Sequence, residues 1–263
     1  MTAAHSLPDA ARLRQMLAGT RWHDVDVVAE TGSTNADLVA RAAEPGLDGT
    51  VLIAGYQSAG RGRHARTWET PHGQLAISAA VAAPAEGTEK LGWLSLLTGL
   101  AVREAVSEVA GAEVILKWPN DVLAADGRKV SGILAEYRPS SNGGGVAVIG
   151  TGINVDLPEQ RVPTAVSVAE VAGHDVDPTE LAAAYLRALS ERLRLWPNDL
   201  AGLAEAYRAA SGTLGQQVRL ILPGDVEVVG EAVDVDAQGG IVVDGPNGRI
   251  TALAGDVTHL RQV

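Results

Sequence analysis

The 263-residue chain has no cysteine, which excludes disulfides and thiolate metal sites and fits a cytoplasmic setting. Lysine is scarce: Lys90, Lys117 and Lys129 are the only three among 21 basic residues. Long apolar runs are missing too, and VILKW at 114 to 118 is far too short to cross a bilayer. The opening MTAAHSLPDAARLRQ lacks a basic segment followed by an apolar one, so no signal peptide is expected. Histidines His5, His23, His64, His72, His174 and His259 are scattered without metal-ligand spacing, and none is assigned to a metal or to proton transfer. A net charge of −11 argues against a general nucleic-acid binder, which needs a basic face. There is no internal repeat and no low-complexity tract. The expectation is a soluble cytoplasmic protein that binds neither DNA nor membrane.

What is present suits a large core: 46% of residues are hydrophobic, and the length allows one large domain with a small one. Residues 8 to 18 read as a short amphipathic helix with Pro8 in its first turn and Gly19 as its stop. TGSTNADLVARAA offers Ser33, Thr34 and Asn35 as competing N-caps of a helix through about Ala43. GTVLIAGYQ and QLAISAAVAA read as buried strands, so the segment between them is a long loop. Glu89 to about Val109 is a largely apolar helix expected to lie against a sheet. EVILKW and the stretch around DGRKVSGILAEY read as strands with a hairpin at Asp126-Gly127, and GVAVIGTGINV as another. Two helices follow, PTELAAAYLRALSERLRLW and NDLAGLAEAYRAA. From about residue 213, short β-rich runs broken by turn residues predict a small β-barrel, with the boundary near 212.

Three segments carry the chemistry. GRGRHARTW at 60 to 68 sets Arg61, Arg63 and Arg66 on a backbone loosened by Gly60 and Gly62. Guanidinium forks match phosphate or carboxylate oxygens, although a solvated basic turn has the same composition. Its glycines do not make a dinucleotide fingerprint, because the third is missing and no helix follows. In KWPND at 117 to 121, Pro119 holds Trp118 extended and presents Lys117, Asn120 and Asp121 at a strand end; a self-bonded turn is the alternative. Lys129 follows the hairpin, and regular alternation puts it on the face of Ser131 and Ile133 rather than of Val130. In GTGINV, Gly150 and Gly152 allow close packing, and Asn154 either caps a turn or binds a nucleotide.

Taken in order, GSTN, YQSAGRGRHARTW, LKWPNDV, RKVSGILAE and GTGINV resemble the biotin protein ligases over residues 30 to 156. The resemblance implies an α+β fold: a mixed β-sheet flanked by helices in a catalytic biotin- and ATP-binding domain, residues 1–212, then the small β-barrel, 213–263. It implies that biotin and Mg-ATP give biotinoyl-AMP and pyrophosphate, and that the biotinoyl group passes to a lysine of a biotin carboxyl carrier domain. It places Ser33, Thr34, Gln57, Gly60, Arg61, Lys129 and Gly132 around biotin. Around the nucleotide it places Arg63, Arg66, Trp68, Lys117, Asn120 and Asn154. Lys129 is then the principal catalytic residue, with Arg61 and Lys117 assisting. Asp121 is a candidate Mg²⁺ ligand or acceptor of the carrier lysine's proton.

The resemblance has departures. Ala65 stands where the family commonly has glycine, and the segment 156 to 166 has no aromatic residue to meet adenine, leaving an aliphatic wall or Trp68. About 30 residues precede GSTN, too few for the DNA-binding domain of some family members, so a ligase without repressor activity is expected, monomeric or weakly dimeric. The 58 to 67 loop is expected to be mobile without ligand and ordered with it. A lipoate– or octanoate–protein ligase and a non-catalytic biotin-binding regulator are the competing readings.

Overall fold

The computed structural model describes residues 7–69, 73–141, 143–158, 162–224 and 226–260. Its larger sheet holds β1 (Asp24–Thr31), β2 (Thr50–Gln57), β3 (Gln74–Ala83), β4 (Ile115–Lys117), β5 (Asp121–Leu123), β6 (Lys129–Pro139) and β7 (Gly145–Asn154). The strand order is β1-β2-β3-β7-β6-β5-β4, with β1 parallel to β2 and every other pairing antiparallel. The helices are α1 (Ala10–Met16), α2 (Thr34–Ala40), α3 (Gly92–Ala110), α4 (Val168–Ala172), α5 (Pro178–Leu195) and α6 (Leu200–Ala210). A second sheet holds β8 (Gln217–Leu222), β9 (Val226–Val235), β10 (Ile241–Gly245), β11 (Gly248–Ala252) and β12 (Asp256–His259). The fold is therefore α+β, a mixed sheet flanked by helices with a smaller antiparallel sheet after it.

Strand alternation separates two faces of the larger sheet. Ala79 and Val81 of β3 and Ala147 and Ile149 of β7 join the main core with α1, α3, α5 and α6, whereas Ala80 and Val148 pack with Leu38 of α2. Because the chain has no phenylalanine, the largest fully buried side chains are Trp93, Trp118, Tyr185 and Tyr207. α3 lies in this core as its composition predicts. The α2 face is thinly covered, and the row Ala76, Gly152, Gly132 crosses three adjacent strands there with almost no side chain.

Several expectations are corrected. Pro8 lies outside α1, because Asp9 is the N-cap and its Oδ1 accepts from Ala11 N and Arg12 N at 2.9 and 3.0 Å. Strand β1 and helix α4 lack a counterpart in the sequence reading. The second sheet has the order β11-β10-β9-β8-β12, and no ladder joins its two edge strands among the described residues, so it is an open sheet rather than a barrel. Closure requires the end strands to pair; β12 has four residues, paired to β8. Among the described residues no helix is long and apolar enough to cross a membrane.

Candidate active site

One cavity of about 390 Å³ lies on the glycine row of the larger sheet, under the arginine loop. Its lining includes Ser33, Thr34, Gln57, Arg61, Arg63, Arg66, Trp68, Lys117, Asn120, Asp121, Lys129 and Gly132, which the sequence singles out in four separate segments. Five of the lining side chains are cationic and two, Asp121 and Asp256, are acidic, so three positive charges remain in an otherwise acidic protein. Distant carboxylates are screened within about 8 Å at physiological salt, so this local excess decides what the cavity attracts.

One end of the cavity is built by α2. Ser33 is its N-cap and accepts from Ala36 N at 3.4 Å, so Thr34 and Asn35 open the helix where backbone N–H groups converge. Gln57 Oε1 accepts from Thr34 N at 2.9 Å and from Thr34 Oγ1 at 3.1 Å. Ser78, fully buried on β3, lies 2.7 Å from both Thr34 Oγ1 and Asn35 Oδ1, and Asn35 Nδ2 donates to Leu134 O and to Glu136 Oε2. Sequence reasoning weighed Asn35 only as a cap and gave Ser78 and Glu136 no role. No local pattern marks a serine within a buried strand.

The floor explains the glycines. The Trp68 indole lies flat on the row: a Cβ on Gly132 would fall 2.6 Å from its ring and one on Gly152 2.5 Å. The Lys129 ammonium sits 5.2 Å from that ring's centroid, and Trp68 Nε1 is buried with no hydrogen-bond partner among the described residues. The expected facing of Lys129 is corrected here. A β-bulge pairs Val122 with Ser131 but Leu123 with Lys129, which leaves Val130 as the extra residue. Ser131 turns into the core, and Lys129 joins Gly132 in the cavity, where the buried Ile133 also reaches the lining.

At the other end, β4 delivers Lys117 and the cis Trp118-Pro119 peptide. Asn120 Nδ2 donates to Ile133 O at 2.8 Å, and its Oδ1 accepts from Arg63 Nη1 at 3.3 Å. Arg63 also donates to Gly255 O at 3.0 Å and to Asp256 Oδ1 at 3.3 Å. Burial pulls its guanidinium below the ordinary arginine range, against the pull of Asp256 and Asp121. His259, behind Lys117, is held below its ordinary value by burial and then by the Lys117 charge. Asp256 and His259 had no signal in the sequence, since neither sits in a motif; the second sheet brings Asp256 into the cavity lining, and His259 stays outside it, near enough to feel the Lys117 charge.

Two expected residues do not line the cavity. Gly60 lies between the legs of the loop, where a Cβ would strike the Trp68 carbonyl, and its own carbonyl accepts from Trp68 N at 3.0 Å. Asn154 is buried and engaged: its Nδ2 donates to Lys129 O and Val166 O at 2.9 and 3.2 Å, and its Oδ1 accepts from Gln74 Nε2 at 2.7 Å. It fixes the backbone of Lys129 instead of facing the cavity. Asp121 is 2.6 Å from Lys129 Nζ, and no group of three potential metal-ligating side chains occurs among the described residues. A carboxylate already neutralised by lysine is a poor seat for a resident cation, so these residues do not build a metal site of their own. Of the segment 156 to 166, residues 159–161 lie outside the described part, as do His5 and His72.

A cation-rich cavity on the glycine floor of a mixed sheet, lined by an arginine loop, defines an anion-binding protein. The chain belongs to the biotin/lipoate A/B protein ligase family, whose model matches residues 33–154; the model of the biotin protein ligase C terminal domain matches 213–260. It is 45% identical to the biotin–acetyl-CoA-carboxylase ligase of Mycobacterium tuberculosis, over 96% of each chain. It is 31% identical to the bifunctional ligase/repressor BirA of Escherichia coli, over 91% of this chain and 76% of that one. Among solved structures, the biotin protein ligase of Aquifex aeolicus in complex with biotin and ATP aligns with a TM-score of 0.76 at 29% identity, over 91% of this chain and 100% of that one.

Proposed function

We infer that this protein is a ligase that attaches biotin to a lysine of a biotin carboxyl carrier domain, through biotinoyl-AMP. The near full-length identity to a biotin–acetyl-CoA-carboxylase ligase carries the reading. The cavity supplies its chemistry.

A carboxylate is a poor acyl electrophile, so it must first become a mixed anhydride. A biotin carboxylate oxygen attacks the α-phosphorus of ATP, the bond to the β-phosphate oxygen breaks, and pyrophosphate leaves. Biotin carries one negative charge and Mg-bound ATP about two, which the three surplus positive charges of the cavity offset. Ser33, Thr34 and Gln57 form the polar end for the biotin ring, Gly132 leaves room on the floor for the Trp68 indole beside it, and Arg61 and Lys129 meet the biotin carboxylate. Arg63, Arg66, Lys117 and Asn120 face the phosphates, with Trp68 as an apolar wall. In this assignment Lys129 is catalytic, because it stands between the two ends. Mg²⁺ arrives as part of the Mg-ATP substrate. In the second step the carrier amine attacks the carbonyl carbon and AMP departs. Asp121, the carboxylate beside Lys129, is the candidate acceptor of the amine's proton.

Gly60 and Asn154 serve this site through the loop legs and the Lys129 backbone. We divide the chain near residue 212, a division supported by two family models that fall on either side of it. The absence of cysteine suits a cytoplasmic enzyme, and the −11 charge suits one without a DNA-binding role. ATP–pyrophosphate exchange, measured with biotin, lipoate and octanoate in parallel, tests the reading. Exchange with biotin alone is expected; exchange driven by either other acid instead, or binding of biotin without exchange, would sink it.

A further inference from the structure

We propose that Asp256, on the second sheet, is a positioning residue for the nucleotide end of the site, a latch that holds the tip of the arginine loop in place. The proposal rests on the biotin-and-ATP reading above. It gives the second sheet a part in the reaction.

The legs of the loop are tied at their base: Ser58 N donates to Thr31 O at 3.0 Å, Ala59 N to Gly32 O at 2.8 Å, and Arg61 bridges to Thr67. Those bonds leave the position of residues 62 to 66 over the cavity undetermined. There, Arg66 Nη2 lies 2.5 Å from Asp256 Oδ2, and Arg63 Nη1 lies 3.3 Å from Asp256 Oδ1. One carboxylate thus spans two guanidinia from the same loop. An isolated exposed ion pair fixes little. This one is different, because Asp256 and Arg63 are only 28% and 21% exposed at their side chains and Arg63 is oriented by Asn120 and Gly255 as well.

Two backbone features show that the latch is built. Gly255 has φ +153°, and a Cβ there would lie 2.7 Å from Ile221 O, so the turn that delivers Asp256 needs glycine. On the loop side, His64 has φ 55°, the only described non-glycine residue in the left-handed region, and its Nε2 is 3.8 Å from Asp256 Oδ1. Such a conformation persists where the surroundings over-determine it. The second sheet is itself anchored to the phosphate end, since Trp118 Nε1 donates to Gly239 O at 3.0 Å and Trp118 N to Thr213 Oγ1 at 3.1 Å. Asp256 therefore sets the loop tip against the strand end that carries Lys117 and Asn120.

The experiment is the KM for ATP in biotin-dependent pyrophosphate exchange, with amide hydrogen exchange of residues 60–67 in the ligand-free protein. Asp256→Asn keeps shape and removes charge. It should raise the KM for ATP about tenfold, since charge-assisted bonds to two arginines are weakened together. Biotin affinity should stay within about twofold, and the loop tip should exchange faster. Asp256→Glu should recover part of both effects, and Asp244→Asn, which removes an ion pair with Arg249 elsewhere on the same sheet, should change neither. In a double-mutant cycle, Asp256→Asn and Arg66→Gln should be non-additive on KM. An unchanged or lowered KM for ATP with unaltered tip exchange would overturn the latch, as would strict additivity. Loss of all exchange activity in the unsubstituted protein would instead overturn the assigned reaction, while tip exchange would still test the latch alone.

Discussion

Lys129 is held by three neighbours of different kinds: the Asp121 carboxylate, the Trp68 ring and the Asn154 amide on its own carbonyl. Lys129→Ala should lower biotin-dependent exchange by about 10²–10³-fold, the usual cost of losing one donor aimed at developing charge. Near-normal turnover in that variant would refute the catalytic assignment. Lys129→Arg should not restore the rate, because a planar fork cannot replace a compact charge 2.6 Å from Asp121. Gly152 makes a second case. Alanine there puts a methyl 2.5 Å from the Trp68 indole, so the ring must leave the floor. Gly152→Ala should weaken biotin or ATP binding at least tenfold by calorimetry (about 1.4 kcal/mol). Wild-type affinity would show that the stacked ring does not shape the site. The residue types were legible in the sequence, but the facing of Lys129 was not, because a single-residue bulge reverses what alternation implies.

At the scale of elements, the arginine loop and the KWPND strand end were legible because glycine and proline leave strong local marks. The elements that missed detection are short or weakly patterned: β1 reads DVDVVAET with only Val25 buried, and α4 has five residues. What ties the KWPND strand end to the second sheet is a relay whose other members lie outside every motif: Trp118 N donates to Thr213 Oγ1, and Thr213 Oγ1 lies 3.0 Å from His259 Nε2. Burial and then Lys117 hold the His259 pKa below its ordinary 6.5, so the unfolded chain binds the proton more readily. That contribution to stability is complete above about pH 6.5 and is lost as pH falls below it. Denaturation midpoints should therefore decline below pH 6.5, and His259→Gln should flatten that slope; an unaltered slope would assign it to other groups.

For the whole molecule, charge is organised against its average. A chain of net charge −11 concentrates five cations around one cavity, and ion pairs such as Arg187–Glu108 and Arg192–Glu104 lace α5 to α3 away from it. Biotin and ATP together should slow amide exchange across residues 58–67, because ordering a loop costs about 1–2 kcal/mol per residue and the substrate anions supply the offsetting contacts. Equal exchange with and without substrates would remove the loop's role as a lid.

By itself the sequence determined the helix and strand periods, the loop with its arginines, the strand end with its lysine, and the family, since each depends on neighbouring residues or on a motif read in order. Only the tertiary structure decided which of those residues share a cavity, that Gly60 and Asn154 support it from outside, that the second sheet is open, and that Asp256 closes on Arg63 and Arg66. Those outcomes depend on contacts between residues up to 193 positions apart, where a carboxylate's partner is set by how two sheets are docked. GRGRHARTW specified a site for an anion; the fold supplied the carboxylate that pairs with two of its arginines.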